Sequence, residues 1–259
     1  MAQIATIKVQ TASGVKAIPV FQPGDINGNK VRDILHVSTP SGTGVIPLTD
    51  TGDATYGFLR VQTQNNGVLA FHDNNGVLID DFEDGNISEY SQNTGSFSAT
   101  TGSPVKYGSY SLKCGTNNER IISSTLNYIP SAGDTIEWWG RGDNSYSGLG
   151  VIFGYQDTNN YYQSDMRVHS NTLKFGVNNG GSFTWLISKT VSMSQSTWYR
   201  QVIEWGSGGN FTITIYDASG SAVGSGTATD TAHTSGSFGF TSAPSNGTPS
   251  LTWDRVRVI

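Results

Sequence analysis

Four acids, Asp80, Asp81, Glu83 and Asp84, crowd into residues 78–85, LIDDFEDG, in a chain of which only 14% is charged. Carboxylates this close can work as a general acid and base, offer hard oxygens to a metal ion, or accept backbone N–H groups where a domain opens. Alternation along a strand decides among these. It puts Ile79 with Asp81 on one face and Leu78, Asp80 and Phe82 on the other, so the acids do not share a catalytic face. The far end of the chain, LTWDRVRVI, carries another carboxylate. There, alternation places Asp254 on the face of Val256 and Val258, and an inward carboxylate needs a partner because leaving it buried and unpaired is costly.

Other groups capable of chemistry are scattered. Glutamate occurs at 83, 89, 119, 137 and 204, and no strand presents the closely spaced carboxylate pair that a retaining glycosidase requires. Glu137 in TIEWWG and Glu204 in VIEW are isolated. His36, His72, His169 and His233 show no ligand spacing. Cys114 is the one cysteine; in SLKCG it points inward and reads as a buried structural thiol. Aromatic rings beside amides and carboxylates can hold the apolar C–H faces of sugars. Trp138 and Trp139 are adjacent on a strand and so face opposite ways. Trp139, Tyr146, Tyr162 and Trp185 are the expected carbohydrate-binding set, with Tyr155 and Tyr161 as further candidates; the alternative for each is a place in the core. Arg141, Gly142 and Asp143 spell RGD, which reads as a turn after a strand. Asn86, Asn210 and Asn246 begin Asn-x-Ser/Thr sequons.

The elements that must carry these residues are strands. Glycine is abundant at 32 of 259 residues, helix formers are scarce, and 11 Tyr, 11 Phe and 6 Trp supply bulk for pleated surfaces. Short β-branched or aromatic runs alternate with polar turns, which predicts an all-β chain. YSLKCG, TIEWWG, GVIFGY, YYQSDMRV, TLKFGV, FTWLIS, WYRQVIEW, NFTITIYD, GSFGFT and LTWDRVRVI are the strand candidates beyond residue 77. DASG at 217–220 and NNGG at 178–181 are hairpin turns. That number of strands predicts a two-sheet jelly roll in which the first and last strands lie side by side.

The first 76 residues follow another rule. VQTASGVKAIPV at 9–20 and VSTPSGTGVIPL at 37–48 align without a gap, and a third copy starts at Leu59 as LRVQTQNNGVLAF. Each copy predicts a β-hairpin. A lone hairpin is marginal in water, so the three must pack together or against another chain. Their expected role is docking or oligomerisation, and a self-contained small barrel is the alternative. The boundary is expected at HDNNGV, giving domains 1–76 and 77–259. A net charge of −5 with pI near 5.2 argues against a nucleic-acid partner. No apolar run is long enough to span a bilayer, and MAQIATIKVQT lacks the pattern of a secretory signal.

Two resemblances add to this. DDFEDGNISEY, SPVKYGSYSLK, WYRQVIEW, ITIYDASGSAVGSG, GSFGFTS and WDRVRV, in that order, resemble a concanavalin A-like (laminin G-like) jelly-roll domain. The resemblance implies that a structural calcium could sit between the first and last strands, with Asp81, Glu83 and Asp254 as its ligands. The alternative is that these acids bind turn amides or pair with Arg255. No other cofactor is expected. The repeat units, IKVQTASGVKAIPV and DATYGFLRVQT, resemble virion surface and tail proteins of tailed viruses of haloarchaea. That resemblance implies a non-enzymatic capsid turret, decoration or tail component, made in the host cytoplasm and carried in the particle. Its expected partners are its own virion proteins, further copies of itself, and host surface glycoprotein glycans. The alternative function is a secreted carbohydrate-binding module of a polysaccharide-active system; a glucanase is disfavoured by the missing carboxylate pair.

Overall fold

A computed structural model describes residues 77–259 apart from 95, 103, 124 and 127, and the strand backbones of the first 76 residues. The chain divides into two compact units, Met1–Asn75 and Gly76–Ile259.

In the first unit the described strands form three antiparallel hairpins. β1 (Gln3–Thr11) pairs with β2 (Gly14–Phe21), β3 (Ile34–Thr39) with β4 (Gly42–Pro47), and β5 (Val61–Gln62) with β6 (Val68–Leu69). Each hairpin falls on one copy of the repeat. The short polar turn between two alternating runs leaves the chain little choice but to fold back on itself.

The second unit is a sandwich of two antiparallel sheets. The strands, in chain order, are β7 (Val77–Asp80), β8 (Tyr90–Asn93), β9 (Ser98–Thr100), β10 (Ser111–Cys114), β11 (Arg120–Ser123), β12 (Thr135–Gly142), β13 (Gly148–Asp157) and β14 (Asn160–Arg167). They continue with β15 (Thr172–Asn179), β16 (Ser182–Thr190), β17 (Thr197–Trp205), β18 (Asn210–Tyr216), β19 (Ala222–Thr229), β20 (Ser237–Ser242) and β21 (Leu251–Val258). One sheet has the order β19-β18-β17-β12-β21-β10-β9, with β7 also on β21, and the other β16-β15-β14-β13-β20-β11-β8. The first and last strands of the unit do pair: Val256 faces Asp80, Arg257 faces Leu78 and Val258 faces Val77.

The ten runs read as strands from the sequence all lie on strands. Both turns form as their residue types dictate. Asp217 Oδ1 accepts the N–H groups of Ser219 and Ser221, and Gly180 and Gly181 take positive φ at the β15–β16 turn. The inward residues of both sheets fill one core, with Trp138, Trp205, Trp253, Phe153, Phe175, Phe211 and Phe240 fully buried. Each such side chain contributes roughly 1.5–3 kcal/mol by leaving water. The buried Trp253 indole N–H donates to the Gly150 carbonyl at 3.1 Å, tying one sheet to the other. Cys114 is buried in this core as a free thiol.

Two faces differ from strict alternation. A bulge sets Trp138 opposite Val256 but Trp139 opposite Asp254, leaving Arg255 as the extra residue at φ 42°. Trp138, Trp253 and Val256 point into the core, so Asp254 lies with Trp139 on the outer face and not with Val256 and Val258. Phe82 is the second correction. At φ 62° its ring swings into the core beside Ile79, away from Leu78 and Asp80.

Candidate functional site

The acidic stretch is a set of backbone anchors. Asp80, Asp81 and Asp84 each accept the N–H two residues on, from Phe82, Glu83 and Asn86, the local pattern that short acidic side chains favour in turns. Asp80 also accepts the Tyr90 hydroxyl at 2.6 Å, and burial raises its carboxyl well above the ordinary range. Glu83 reaches across to the N–H groups of Ser109 and Tyr110 at 2.8–3.0 Å. Asp254 Oδ2 takes those of Lys106 and Tyr107 at 2.6 and 3.0 Å. Together these bonds pin residues 104–110 over the gap between β7 and β10.

Calcium takes about six to eight oxygens, and each of the three expected ligands, Asp81, Glu83 and Asp254, directs an oxygen at a backbone N–H group. Among the described residues no group of three or more His, Cys, Asp or Glu is placed to hold a metal. The alternative, binding of turn amides, is what the geometry supports. Asp254 Oδ1 is buried without a hydrogen-bond partner. Burial, with smaller contributions from Glu83 and Asp81, pushes its carboxyl up to about 7 against the pull of the two N–H groups.

The four expected sugar-binding residues do not converge. Tyr162 is a core residue with 0% exposure, its hydroxyl held by Asp230 at 2.7 Å. Tyr146 is exposed on the turn after β12, against Gly247. Trp139 lies on the outer face of the eight-stranded sheet and Trp185 on that of the seven-stranded sheet.

The outer face around Trp185 carries further rings that reach a depression at Tyr161. On β14, Tyr162, Ser164 and Met166 point inward, which turns Tyr161, Gln163, Asp165 and Arg167 outward. Tyr155 turns to the same side because β13 bulges around Gly154, and its ring is buried against Ile122 and Ile152 with Tyr161 packed on it. The rings of Tyr155, Tyr161, Phe183 and Trp185 form a line with successive centroids 6.0, 6.2 and 4.6 Å apart. Gly176 lets the Phe183 ring lie flat across the sheet: a Cβ there would stand 2.7 Å from it. Beside Tyr161 is a depression of about 350 Å³ floored by Ile152 and rimmed by Thr94, Asn118, Glu119, Arg120 and Gln163. The Arg120 guanidinium lies 5.9 Å from the Tyr161 ring centre.

Behind the rings, buried Asp165 accepts two bonds from Arg167, at 2.8 and 3.1 Å, and one from Gln163 at 2.8 Å. Burial raises its carboxyl, outweighing the opposing pull of Arg167 and Gln163. Arg167 in turn stacks on Trp185 at 4.9 Å, with Lys174 5.0 Å from the same ring. Arg120, Gln163 and Phe183 were not singled out by sequence. The signal was present in YYQSDMRV, where the polar residues identify Tyr161 as the outward tyrosine and Tyr162 as the inward one.

The RGD arginine is bound to its own neighbour, with Arg141 Nε donating to Asp143 Oδ1 at 2.6 Å. Asn86, Asn210 and Asn246 are exposed. Among the described residues no helix is long and apolar enough to cross a membrane.

Residues 142–252 match the family model described as SO2946-like, C-terminal domain. No curated protein matches the chain. Among solved structures, the carbohydrate binding module CBM66 from Bacillus subtilis aligns with TM-score 0.50 and 13% identity, over 67% of this chain and 96% of that one. The GH43 BlXynB protein from Bacillus licheniformis aligns with TM-score 0.51 and 12% identity, over 98% of this chain but only 52% of its own length. The protein of unknown function SO2946 from Shewanella oneidensis MR-1 aligns with TM-score 0.47 and 17% identity, over 66% and 78%. At these identities the likeness concerns the fold alone.

Proposed function

We propose that residues 77–259 are a non-catalytic glycan-binding domain whose site is the depression beside Tyr161. The observation that carries this is a polar-rimmed hollow of about 350 Å³ lined by Tyr161, from which the exposed Phe183 and half-buried Trp185 rings continue in line. Rings offer flat apolar contact to sugar C–H faces, and Arg120, Gln163 and Asn118 offer directional partners for hydroxyls. Glu119 is the single carboxylate among the lining residues, where glycoside hydrolysis by the usual route needs two. The fold shared with a carbohydrate binding module is consistent with this reading. The test is native electrophoresis of the protein through gels containing single neutral polysaccharides. Retardation by at least one, lost in Tyr161→Ala, supports the site; release of reducing sugar from the retarding polysaccharide would replace it with an enzyme.

The three hairpins of the first unit favour a second, compatible role. Hairpins of this size are marginal alone, so we assign them to assembly with further copies or with other components of a particle, the glycan-binding domain then displaying on a virion surface or tail. A secreted module of a polysaccharide-active system is the alternative. Light scattering on the full chain and on residues 77–259 separates the two. A defined oligomer that becomes monomeric on truncation supports assembly, and two monomers would favour the secreted module.

A further inference from the structure

The Tyr161 hollow lies at one end of a lane that crosses the seven-stranded sheet. Register places Ile122 opposite Gly239, Gly239 opposite Ile152, Ile152 opposite Gln163, Gln163 opposite Gly176 and Gly176 opposite Trp185. Phe238, Phe240, Phe175 and Val177 point into the core, so Gly239 and Gly176 face outward. The row runs from β11 to the edge strand β16, across the strands, over five strand spacings or about 24 Å. Side chains on it lie low. Ile122 covers Gly239, where a Cβ would stand 2.8 Å from its Cδ1, and Phe183 covers Gly176. On the next row Asp165 lies over Gly150 in the same way.

The two margins of the lane differ. Tyr161 and Phe183 share the row on one side, both opposite Asn178. Arg120, Thr241, Asp165 and Lys174 belong to the row on the other. Gln163 stands in the middle and donates its Nε2 to Asp165 at 2.8 Å, so its amide oxygen is the end turned away from the carboxylate. A single sugar in the hollow would leave Phe183 and Trp185 unused. We propose that the site takes a neutral polysaccharide chain of several residues, laid across the strands from the hollow to Trp185, which forms a second subsite for the same chain. This rests on the reading of the Tyr161 hollow as a glycan site and adds the length and direction of the ligand. Once the hollow is filled, contact at Trp185 is intramolecular and adds affinity without a second loss of translational freedom.

The test is calorimetric titration of the full chain with cellulose, xylan, mannan and amylose oligosaccharides, each from disaccharide to hexasaccharide. The expected result is at least one series whose affinity rises by about tenfold or more over that range. Tyr161→Ala should lower affinity at every length. Trp185→Ala should leave the disaccharide as in the parent and abolish most of the rise; Trp185→Leu, which keeps an apolar side chain on the edge strand, replaces it should the alanine variant unfold. A disaccharide bound as tightly as the hexasaccharide would overturn the chain while leaving the hollow intact. So would a folded Trp185 variant that matches the parent at every length, or that loses all lengths alike. A polysaccharide that retards the protein while its hexasaccharide does not bind would overturn the inference too, because a hexasaccharide is long enough to cover the row. If no series binds and no neutral polysaccharide retards the protein, the glycan reading itself falls and the inference with it.

Discussion

The two outer faces of the sandwich are built by the same alternation of residues, yet on one a line of rings reaches a hollow at Tyr161 and on the other Trp139 is buried against Lys106 and Tyr107. Each has a buried carboxylate as its organiser. On the seven-stranded sheet Asp165 holds one arginine, and that arginine orients Trp185. On the eight-stranded sheet Glu137 holds two arginines, Arg200 and Arg257. Two cations also stand near Asp165, Arg167 and Lys174. The faces differ in the balance of cover and exposure. The segment 104–110, pinned by Glu83 and Asp254, lays Lys106 and Tyr107 over Trp139, which is 8% exposed. On the other face Phe183 is exposed and Tyr161 and Trp185 are half-buried.

Breaking that balance has graded consequences. The largest is expected for Glu137→Ala, which removes the carboxylate shared by Arg200 and Arg257 and should cost about 3–5 kcal/mol in urea unfolding. Glu137→Gln keeps shape and acceptor and should cost less; equal costs would mean that packing, not charge, holds this centre. Next, Asp165→Asn should move stability by about 1–2 kcal/mol, since burial already disfavours the Asp165 charge while Arg167 loses its ionic partner. It should also shift the near-ultraviolet circular dichroism as Trp185 is released. An unchanged spectrum would show that Asp165 does not position the ring.

Smaller again is a pH effect at the other face. Asp254 is raised from 3.8 to about 7 in the folded protein. The folded state therefore holds a proton that the unfolded chain gives up between those values. Stability from this group is full below pH 3.8, falls as pH rises, and is gone above about 7. Asp254→Asn should flatten that part of the profile and be more stable than the parent at pH 8; a parallel profile would contradict the raised carboxyl. Smallest of all, millimolar calcium should leave the unfolding temperature of the parent unchanged. A rise that Asp254→Asn abolishes would restore the metal reading of Asp81, Glu83 and Asp254.

The sequence showed the scaffold more clearly than the site. TIEWWG, WYRQVIEW and LTWDRVRVI announce their strands because β-branched and aromatic residues alternate between polar turns, and the VQT repeats announce hairpins for the same reason. Alternation fails where one residue is added. The bulge at Arg255 moved Asp254 to the outer face, and Phe82 at positive φ entered the core beside Ile79, although counting placed the two on opposite faces. No residue type marks either event, because neither Arg nor Phe is favoured there. Site residues were harder to see because Tyr161 on β14 is brought beside Arg120 on β11 and Glu119 just before it, segments well separated in sequence. Trp185 was legible as a candidate; its dependence on Arg167, and through it on Asp165, was not.

The central claim is that the Tyr161 face takes a neutral glycan independently of the outer face of the eight-stranded sheet. It is tested most directly by titrating a neutral polysaccharide that retards the protein into three proteins: the parent, Tyr161→Ala and Lys106→Glu. The expected outcome is affinity lowered by about tenfold in Tyr161→Ala and unchanged in Lys106→Glu. Equal affinity in the parent and Tyr161→Ala, or loss confined to Lys106→Glu, would contradict it.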